Sequence, residues 1–320
     1  MLRVRERMIV QYTATAKWII FSVALDDDTA ALAVINRITN QRRLVVSQGN
    51  FLAFPRFSPD GERVLVVRGK QFGGYAELLS CSIENWECRV LVMAPQPIYW
   101  PVEVRKDVVL YSGSELYAEG RRRQYDLYLA EPPNQPVRLS NFKFYNLAAL
   151  NVVDDKIVFS TAASLSPENV IFPKTIDALA PARSEIFKLQ IDWRERRLII
   201  PSRPLEPLYE IDGFTTLPTT SEDGTRIAFV NQRITAGRSR YNLAVATFDG
   251  APLTYVDATS NGFSRPAFVG ATVLANQIFE DRYETTLVDL ANNSTRQEAV
   301  FSHTSRALDA LEHFEISIGQ

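Results

Sequence analysis

The feature that most constrains this chain is a hairpin that recurs six times along its length. Each copy has a strand of alternating apolar and polar residues, a short turn and a second strand that is usually basic. The copies begin at Leu32, Glu77, Tyr125, Glu185, Asn242 and Thr285. Alternation with a period of two residues is typical of half-buried β-strands. A fixed unit repeated in this way predicts a repetitive all-β architecture.

A second hairpin precedes most copies of the first. Its best examples are FPRFSPDGERVLVVRG from Phe54 and LPTTSEDGTRIAFVNQ from Leu217. Weaker examples begin at Trp100, Leu150 and Arg265. The pairs Asp60-Gly61 and Asp223-Gly224 supply a residue that tolerates positive φ, which a tight hairpin needs. Two hairpins per repeat make a four-stranded sheet, so the sequence predicts a β-propeller of six four-stranded blades.

The turn sequences carry a resemblance to a known family. FSPDG at 57–61 and SEDG at 221–224 resemble the PD40 (WD40-like) repeat of bacterial TolB-like six-bladed propellers. The resemblance spans nearly the whole chain through the hairpin period, but only two blades keep the motif well. It implies a binding scaffold that holds a partner at one face and in the central funnel.

The repeat also predicts the domain organisation. We expect one domain over residues 1–320, closed by pairing of N- and C-terminal strands so that no blade edge is exposed. The expected blades are 8–48 plus 304–320, 51–95, 98–141, 144–203, 209–258 and 261–302. Both ends of the chain compete for the inner strand of the first blade. The sequence favours the C-terminal segment around Ala307 to Leu311 for that position.

Charge and hydrophobicity exclude some classes of partner. A formal charge of −2 and a pI near 5.9 argue against general affinity for nucleic acid or anionic membrane. No apolar stretch reaches the roughly 18 residues that a membrane span needs. The N-terminus resembles a signal peptide, but Lys17 interrupts it and Asp26 to Asp28 replace a cleavage site. We expect a monomer, cytoplasmic if Met1 is the native start, and periplasmic or secreted if a leader was trimmed.

The long connections predict which face is used. With strands lettered a to d from the axis outward, the a–b and c–d turns form one face, the turn face, and the b–c and d–a connections form the other, the loop face. The turns are short and similar, whereas the loops are long and dissimilar, and long loops in compact domains are usually functional or disordered. The longest b–c loops cover 68–77, 113–125, 161–183 and 231–241.

Basic and aromatic residues in or near these loops are the candidate binding residues, since both types are enriched at interface hot spots. They are Arg68, Lys70, Tyr99, Trp100, Arg121, Arg122, Arg123, Phe144, Tyr145, Arg233, Arg238 and Arg240. Their summed charge predicts a positive field that steers a protein or peptide partner of acidic character. The alternative is that the arginines serve solubility and the aromatic rings pack between blades.

The sequence predicts no catalytic residue, metal or cofactor. It lacks a G-x-S-x-G nucleophile elbow and a phosphate-binding glycine loop. The two histidines, His303 and His313, are too few for the His-rich metal sites of propeller enzymes, and Asp26 to Asp28, Glu280 and Asp281 are interpreted as solvated loop carboxylates. We therefore expect a non-enzymatic protein- or peptide-binding scaffold. Two alternatives are a metal-assisted lyase or lactonase with an axial site, and a sensor or structural module of a larger assembly.

Cys81 and Cys88 flank the turn of the second blade's outer hairpin. If that turn centres on Glu84 and Asn85, the two cysteines are directly opposed, at a distance compatible with a disulfide. A disulfide would indicate an exported protein. The alternative is a pair of small apolar side chains on one face of the blade.

Overall fold

A computed structural model describes most of the chain as strands and turns. The described residues are 11–24, 30–47, 51–69, 75–116, 123–144, 146–162, 184–202, 205–235, 238–248, 254–257, 262–263, 265–279, 282–291, 294–302 and 315–318. Within these ranges the chain forms 26 strands and no helix. None of the described segments is a helix long and apolar enough to cross a bilayer.

The first three blades are antiparallel sheets whose strands follow one another from the axis outward. Blade 1 contains β1 (Tyr12–Ala14), β2 (Trp18–Ala24), β3 (Ala30–Asn36) and β4 (Arg42–Val46). Blade 2 contains β5 (Phe51–Phe57), β6 (Arg63–Gly69), β7 (Ala76–Ser82) and β8 (Cys88–Ala94). Blade 3 contains β9 (Ile98–Arg105), β10 (Val108–Leu116), β11 (Arg123–Ala130) and β12 (Val137–Arg138).

The other three blades repeat this order. Blade 4 contains β13 (Leu147–Val153), β14 (Lys156–Thr161), β15 (Glu185–Asp192) and β16 (Arg197–Ile199). Blade 5 contains β17 (Phe214–Thr220), β18 (Arg226–Thr235), β19 (Arg238–Thr247) and β20 (Thr254–Asp257). Blade 6 contains an inner strand in two pieces, β21 (Gly262–Phe263) and β22 (Ala267–Val269), then β23 (Thr272–Ile278), β24 (Arg282–Asp289) and β25 (Ser294–Ser302).

The inner strands form a closed ring. Each one contacts the inner strand of the next blade, and β22 of blade 6 contacts β1 of blade 1. Six buried apolar clusters lie between successive blades, and the cluster at the seam packs Tyr12 and Phe21 of blade 1 against Leu274 of blade 6. The predicted all-β fold, a six-bladed propeller, is confirmed.

Blade 1 contains strands from both ends of the chain, as the sequence predicted, but in a different order. A final strand, β26 (Glu315–Ile318), pairs in parallel with β4 on the outer edge of the sheet. The inner position belongs to β1, from the N-terminal part. The expectation that the C-terminal segment supplies the inner strand is therefore wrong for the described sheet, and residues 307–311 lie outside the described residues. Period-two patterning marks a strand but does not say which edge of a sheet it joins.

The a–b turns explain the recurring aspartate and glycine. Gly61 and Gly224 have φ of 72° and 66°, as the sequence predicted. In blade 2 the Asp60 carboxylate accepts hydrogen bonds from the Ser58 hydroxyl and from the Glu62 N–H. Ser221 and Asp223 make the equivalent contacts in blade 5. The short polar side chains thus fix the turn locally, as expected of Asx and Ser turns.

The arginine two residues after each glycine joins neighbouring blades. Arg63 of blade 2 forms ion pairs with Glu103 at 3.1 Å and Asp107 at 3.3 Å, both in blade 3. Arg226 of blade 5 reaches blade 6, where it donates to the Gly270 carbonyl at 3.5 Å and stacks on the Phe268 ring. The motif therefore contributes both a turn and a link to the next blade.

Candidate functional site

A cavity of about 920 Å³ lies at the turn face, and we call it the funnel cavity. The turns of blades 1, 2 and 5 line it, as do the inner strands of blades 1, 2, 5 and 6. The sequence predicts the working surface at the opposite face, the loop face. Short turns leave the axial end open because they do not fold over it.

Two arginines from inner strands lie at the deep end of the funnel cavity. Arg265 of blade 6 is only 6% exposed, and Arg56 of blade 2 is half-buried. Each donates a hydrogen bond to Oδ1 of Asn151 in blade 4, Arg56 at 3.1 Å and Arg265 at 2.8 Å. Three blades thus meet at the axis through one amide oxygen.

Further hydrogen bonds fix Arg265 and Asn151. Arg265 donates through Nη2 to the Leu150 carbonyl and through Nε to the Pro218 carbonyl. Its guanidinium carbon lies 5.7 Å from the centre of the Trp100 ring, a cation–π distance. The Asn151 amide donates to the carbonyls of Ala149 and Pro218 at 2.9 and 2.8 Å. Backbone carbonyls compensate part of the burial of the Arg265 guanidinium, but they carry no full negative charge.

The electrostatic environment disfavours positive charge at this point. Burial lowers the pKa of Arg56 to about 10. Burial lowers the pKa of Arg265 well below its usual range, and the positive charge of Arg56 lowers it further. Burial also raises the pKa of the neighbouring Tyr12, whose hydroxyl donates to the Leu274 carbonyl at 2.6 Å. Tyr12 is therefore a neutral hydrogen-bond donor at this site.

The structure places the predicted loop-face residues in different roles. Arg68 pairs with Glu77 at 2.7 Å, so its charge is compensated. Phe144 is fully buried, and Tyr99 is 9% exposed and packs on Phe54 and Tyr125. Both rings fill space between blades, which is the alternative that the sequence left open. Trp100 is half-buried beneath Arg265, so it belongs to the axial cluster.

Arg233 and Arg240 are the two remaining arginines of this set with described side chains. They are directly opposed across β18 and β19, and Arg240 is exposed. The Arg233 guanidinium stacks on the Tyr255 ring at 5.3 Å and donates to Asn231 at 3.1 Å. The side chains of Lys70, Arg121, Arg122, Arg123, Tyr145 and Arg238 lie outside the described residues.

Cys81 and Cys88 are directly opposed across β7 and β8 and are joined by a disulfide. Their Cα atoms are 4.0 Å apart. Cys81 is buried between blades 1 and 2, whereas Cys88 is exposed. The bond ties the outermost strand of blade 2 to its neighbour.

Metal binding finds no support in the described part of the chain. No group of three or more His, Cys, Asp or Glu residues is arranged there to hold a metal ion. The residues considered for an axial metal, His303, His313, Asp26 to Asp28, Glu280 and Asp281, all lie outside the described residues.

Sequence reasoning missed Arg56, Asn151 and Arg265 as axial residues. A signal for two of them was present, because Arg56 and Arg265 each adjoin a proline on an inner strand. Proline within a strand marks an interruption of the ladder. The inner strands of blades 2 to 5 do contain bulges, with positive φ at Phe54, Trp100, Ala149 and Leu217.

The fold and cavity define this chain as a six-bladed β-propeller with an axial funnel. No protein-family model matches the sequence, and no curated protein matches it. Among solved structures, it is similar to TolB from Acinetobacter baumannii, with 14% identity, coverage of 89% of this chain and 65% of that chain, and a TM-score of 0.65. A putative TolB from Agrobacterium tumefaciens is 15% identical, with coverage of 85% of this chain and 89% of that chain, and a TM-score of 0.59.

Propeller domains of peptidases are also similar. The β-propeller domain of the Trilobed protease from Pyrococcus furiosus is 9% identical, with coverage of 93% of this chain and 98% of that chain, and a TM-score of 0.53. At these identities the likeness concerns the fold, and the fold is TolB-like. The chain spans about two thirds of the length of the Acinetobacter protein.

Proposed function

We propose that this chain is a non-enzymatic propeller that binds a peptide segment of a protein partner in the funnel cavity. The observation that carries the proposal is the cavity itself, whose volume of about 920 Å³ lies within the usual range of ligand sites. Its lining mixes apolar side chains, such as Phe57 and Phe268, with charged and hydroxyl groups, of which Arg265 is fixed by hydrogen bonds. The TolB-like fold supports a scaffold rather than a particular partner.

The loop face is a second proposed contact surface, for an acidic region of the same partner. The exposed Arg240 opposite Arg233 supports it. The disulfide between Cys81 and Cys88 supports an oxidising compartment, so we propose a periplasmic or secreted location. We further propose that residues 1–320 act as one monomeric domain.

An accessory role in a longer peptidase is the second candidate function. It is favoured by the 98% coverage of the isolated propeller domain of the Trilobed protease. Co-elution of the native protein with peptidase activity would support this role, whereas elution as a free monomer without that activity would oppose it.

A cavity-filling variant tests peptide binding. Thr220 lines the funnel cavity, so Thr220→Trp should fill part of it and reduce retention of a soluble pool of random hexapeptides about tenfold or more. Thr39→Trp, at an exposed position of the blade 1 outer turn, is the matched control and should retain the pool like the wild type. Retained peptides are measured by mass spectrometry. Equal retention by all three proteins would contradict the proposal.

A further inference from the structure

The two axial arginines have no described counter-ion. Among the described residues, neither Arg56 nor Arg265 forms an ion pair with a carboxylate. Their Nη2 atoms share Asn151 Oδ1 and therefore lie within about 6 Å of each other. Buried charges in proteins are normally paired or neutralised, because removing them from water is costly. Two adjacent guanidinium groups with no carboxylate partner in the described part of the chain are thus an exception that requires a cause.

Several donors of the pair remain available. Arg265 uses Nε and Nη2, and Arg56 uses only Nη2, in hydrogen bonds to described residues. Nη1 of both residues and Nε of Arg56 have no such bond. Both side chains line the funnel cavity. A planar guanidinium with free donors matches the two oxygens of a carboxylate, and such charged hydrogen bonds are the strong ones.

The mouth of the cavity has the opposite charge. Asp60, Glu62, Glu84 and Glu222 line it and are exposed. Among the described lining residues, Lys17 is the exposed cation, and Arg63 is already paired with carboxylates. A strongly acidic segment or a phosphate dianion would be repelled at this mouth. A peptide segment with one carboxylate and a nearby basic residue fits better. Its carboxylate would face the arginines at the deep end, and its basic residue would face the acidic residues at the mouth.

We propose that Arg56 and Arg265 form a carboxylate-binding site at the deep end of the funnel cavity, for one carboxylate of a peptide segment that carries a basic residue close to it. The inference rests on the proposed function, because it names the group by which the bound peptide is recognised. A free C-terminus and an Asp or Glu side chain both supply a carboxylate. The binding experiment below distinguishes these two sources.

Arg56 is the residue to vary. Arg265 holds carbonyls of two other blades, so its variants are expected to disturb folding. Arg56 makes one described hydrogen bond, and Arg56→Gln removes like charge from beside Arg265. If Arg56 serves a ligand, the ligand-free Arg56→Gln protein should melt at the wild-type temperature or above it. If Arg56 is a structural brace, the variant should melt at a lower temperature.

Binding is measured with four soluble pools of random hexapeptides that each contain one lysine. Two pools have free C-termini and two have amidated C-termini. Within each pair, one pool contains Asp and Glu and the other lacks them. Wild type should retain peptides that contain a carboxylate and reject the amidated pool without Asp or Glu. Arg56→Gln should lose this retention by about tenfold or more, since a charged hydrogen bond is lost. Arg194→Gln, at an exposed position of the blade 4 outer turn that does not line the funnel cavity, is the control and should behave as wild type. Comparing the amidated pool that contains Asp and Glu with the free-terminus pool that lacks them shows whether a side chain or the C-terminus supplies the carboxylate.

Acetate and inorganic phosphate, each compared with chloride at equal ionic strength, provide a second readout. Acetate should raise the melting temperature of wild type and not that of Arg56→Gln. Equal retention of peptides with and without a carboxylate would overturn the carboxylate site but leave the proposed peptide binding standing. Stabilisation by acetate without retention of any peptide would support the site and contradict the proposed function. A lower melting temperature of Arg56→Gln, or stabilisation by phosphate but not acetate, would also overturn the inference.

Discussion

Gly61 and Gly224 occupy the same position in two turns but have different neighbours. Both have positive φ, which costs a residue with a Cβ roughly 1–2 kcal/mol. A Cβ at Gly61 would have nothing within 4 Å, whereas a Cβ at Gly224 would lie 2.5 Å from Cγ1 of Val153 in blade 4. Equivalent turns can therefore differ in how well they tolerate a side chain at the glycine, because the adjacent blade differs.

Alanine at each glycine tests this difference. Gly61→Ala should lower the free energy of unfolding by about 1 kcal/mol. Gly224→Ala should lower it by about 2–4 kcal/mol, because overpacking adds to the backbone strain. Urea unfolding measures both, and Val153→Ala in the Gly224→Ala background should restore most of the additional loss. Equal losses at the two glycines would show that the Val153 contact has no effect.

At the scale of the elements, the links between blades differ in strength although their motif is the same. Arg63 pairs with Glu103, whose side chain has 0% exposure, and this carboxylate also accepts the Asp107 N–H. Among the described residues of blade 6, Arg226 contacts a carbonyl and an aromatic ring but no carboxylate. Removing one partner of a buried ion pair leaves an uncompensated charge, which costs more than losing a surface contact.

Arg63→Met should therefore lower the free energy of unfolding by about 3 kcal/mol. Arg226→Met, the matched change in blade 5, should cost about 1 kcal/mol or less. Adding Glu103→Gln to Arg63→Met should recover part of the loss, since the buried charge is then absent. Guanidinium or urea titrations at constant ionic strength provide the values. The same cost in both blades would mean that the arginines act only through the turn.

The sequence predicted the hairpins and their turns because strand alternation and aspartate–glycine pairs are local signals. It did not predict the bulges at Phe54, Trp100, Ala149 and Leu217, since none of these residues favours positive φ by itself. Nor did it predict the meeting of Arg56, Asn151 and Arg265. Those side chains come together only when blades from distant parts of the chain share an axis, and that geometry is not visible in any one repeat.

At the scale of the whole molecule, the first and last described strands lie on opposite edges of blade 1. β1 occupies the inner edge and β26 the outer edge. If the C-terminal segment supplied the inner strand of blade 1, as the sequence favours, its loss would be expected to open the ring. The structure changes that expectation for β26, because the contact between β22 and β1 closes the ring without it.

Deleting residues 315–320 should leave a folded propeller that self-associates, since the edge of β4 becomes exposed. Deleting residues 1–14 should prevent cooperative folding, because it removes β1 and the Tyr12 hydrogen bond to blade 6. Circular dichroism melting and analytical ultracentrifugation measure the two outcomes. Loss of folding on deletion of residues 315–320 would show that β26 is required for closure of the ring.

The seam between blades 6 and 1 has a consequence for how such a ring changes in evolution. The four inner strands of blade 1 all come from the N-terminal part of the chain, so the seam is held by side-chain packing and the Tyr12 contact. Duplication or loss of one whole repeat at this point would cut no β-ladder between neighbouring blades. The number of blades in a lineage with this arrangement is therefore limited by how side chains repack at one interface and by whether β26 still reaches β4.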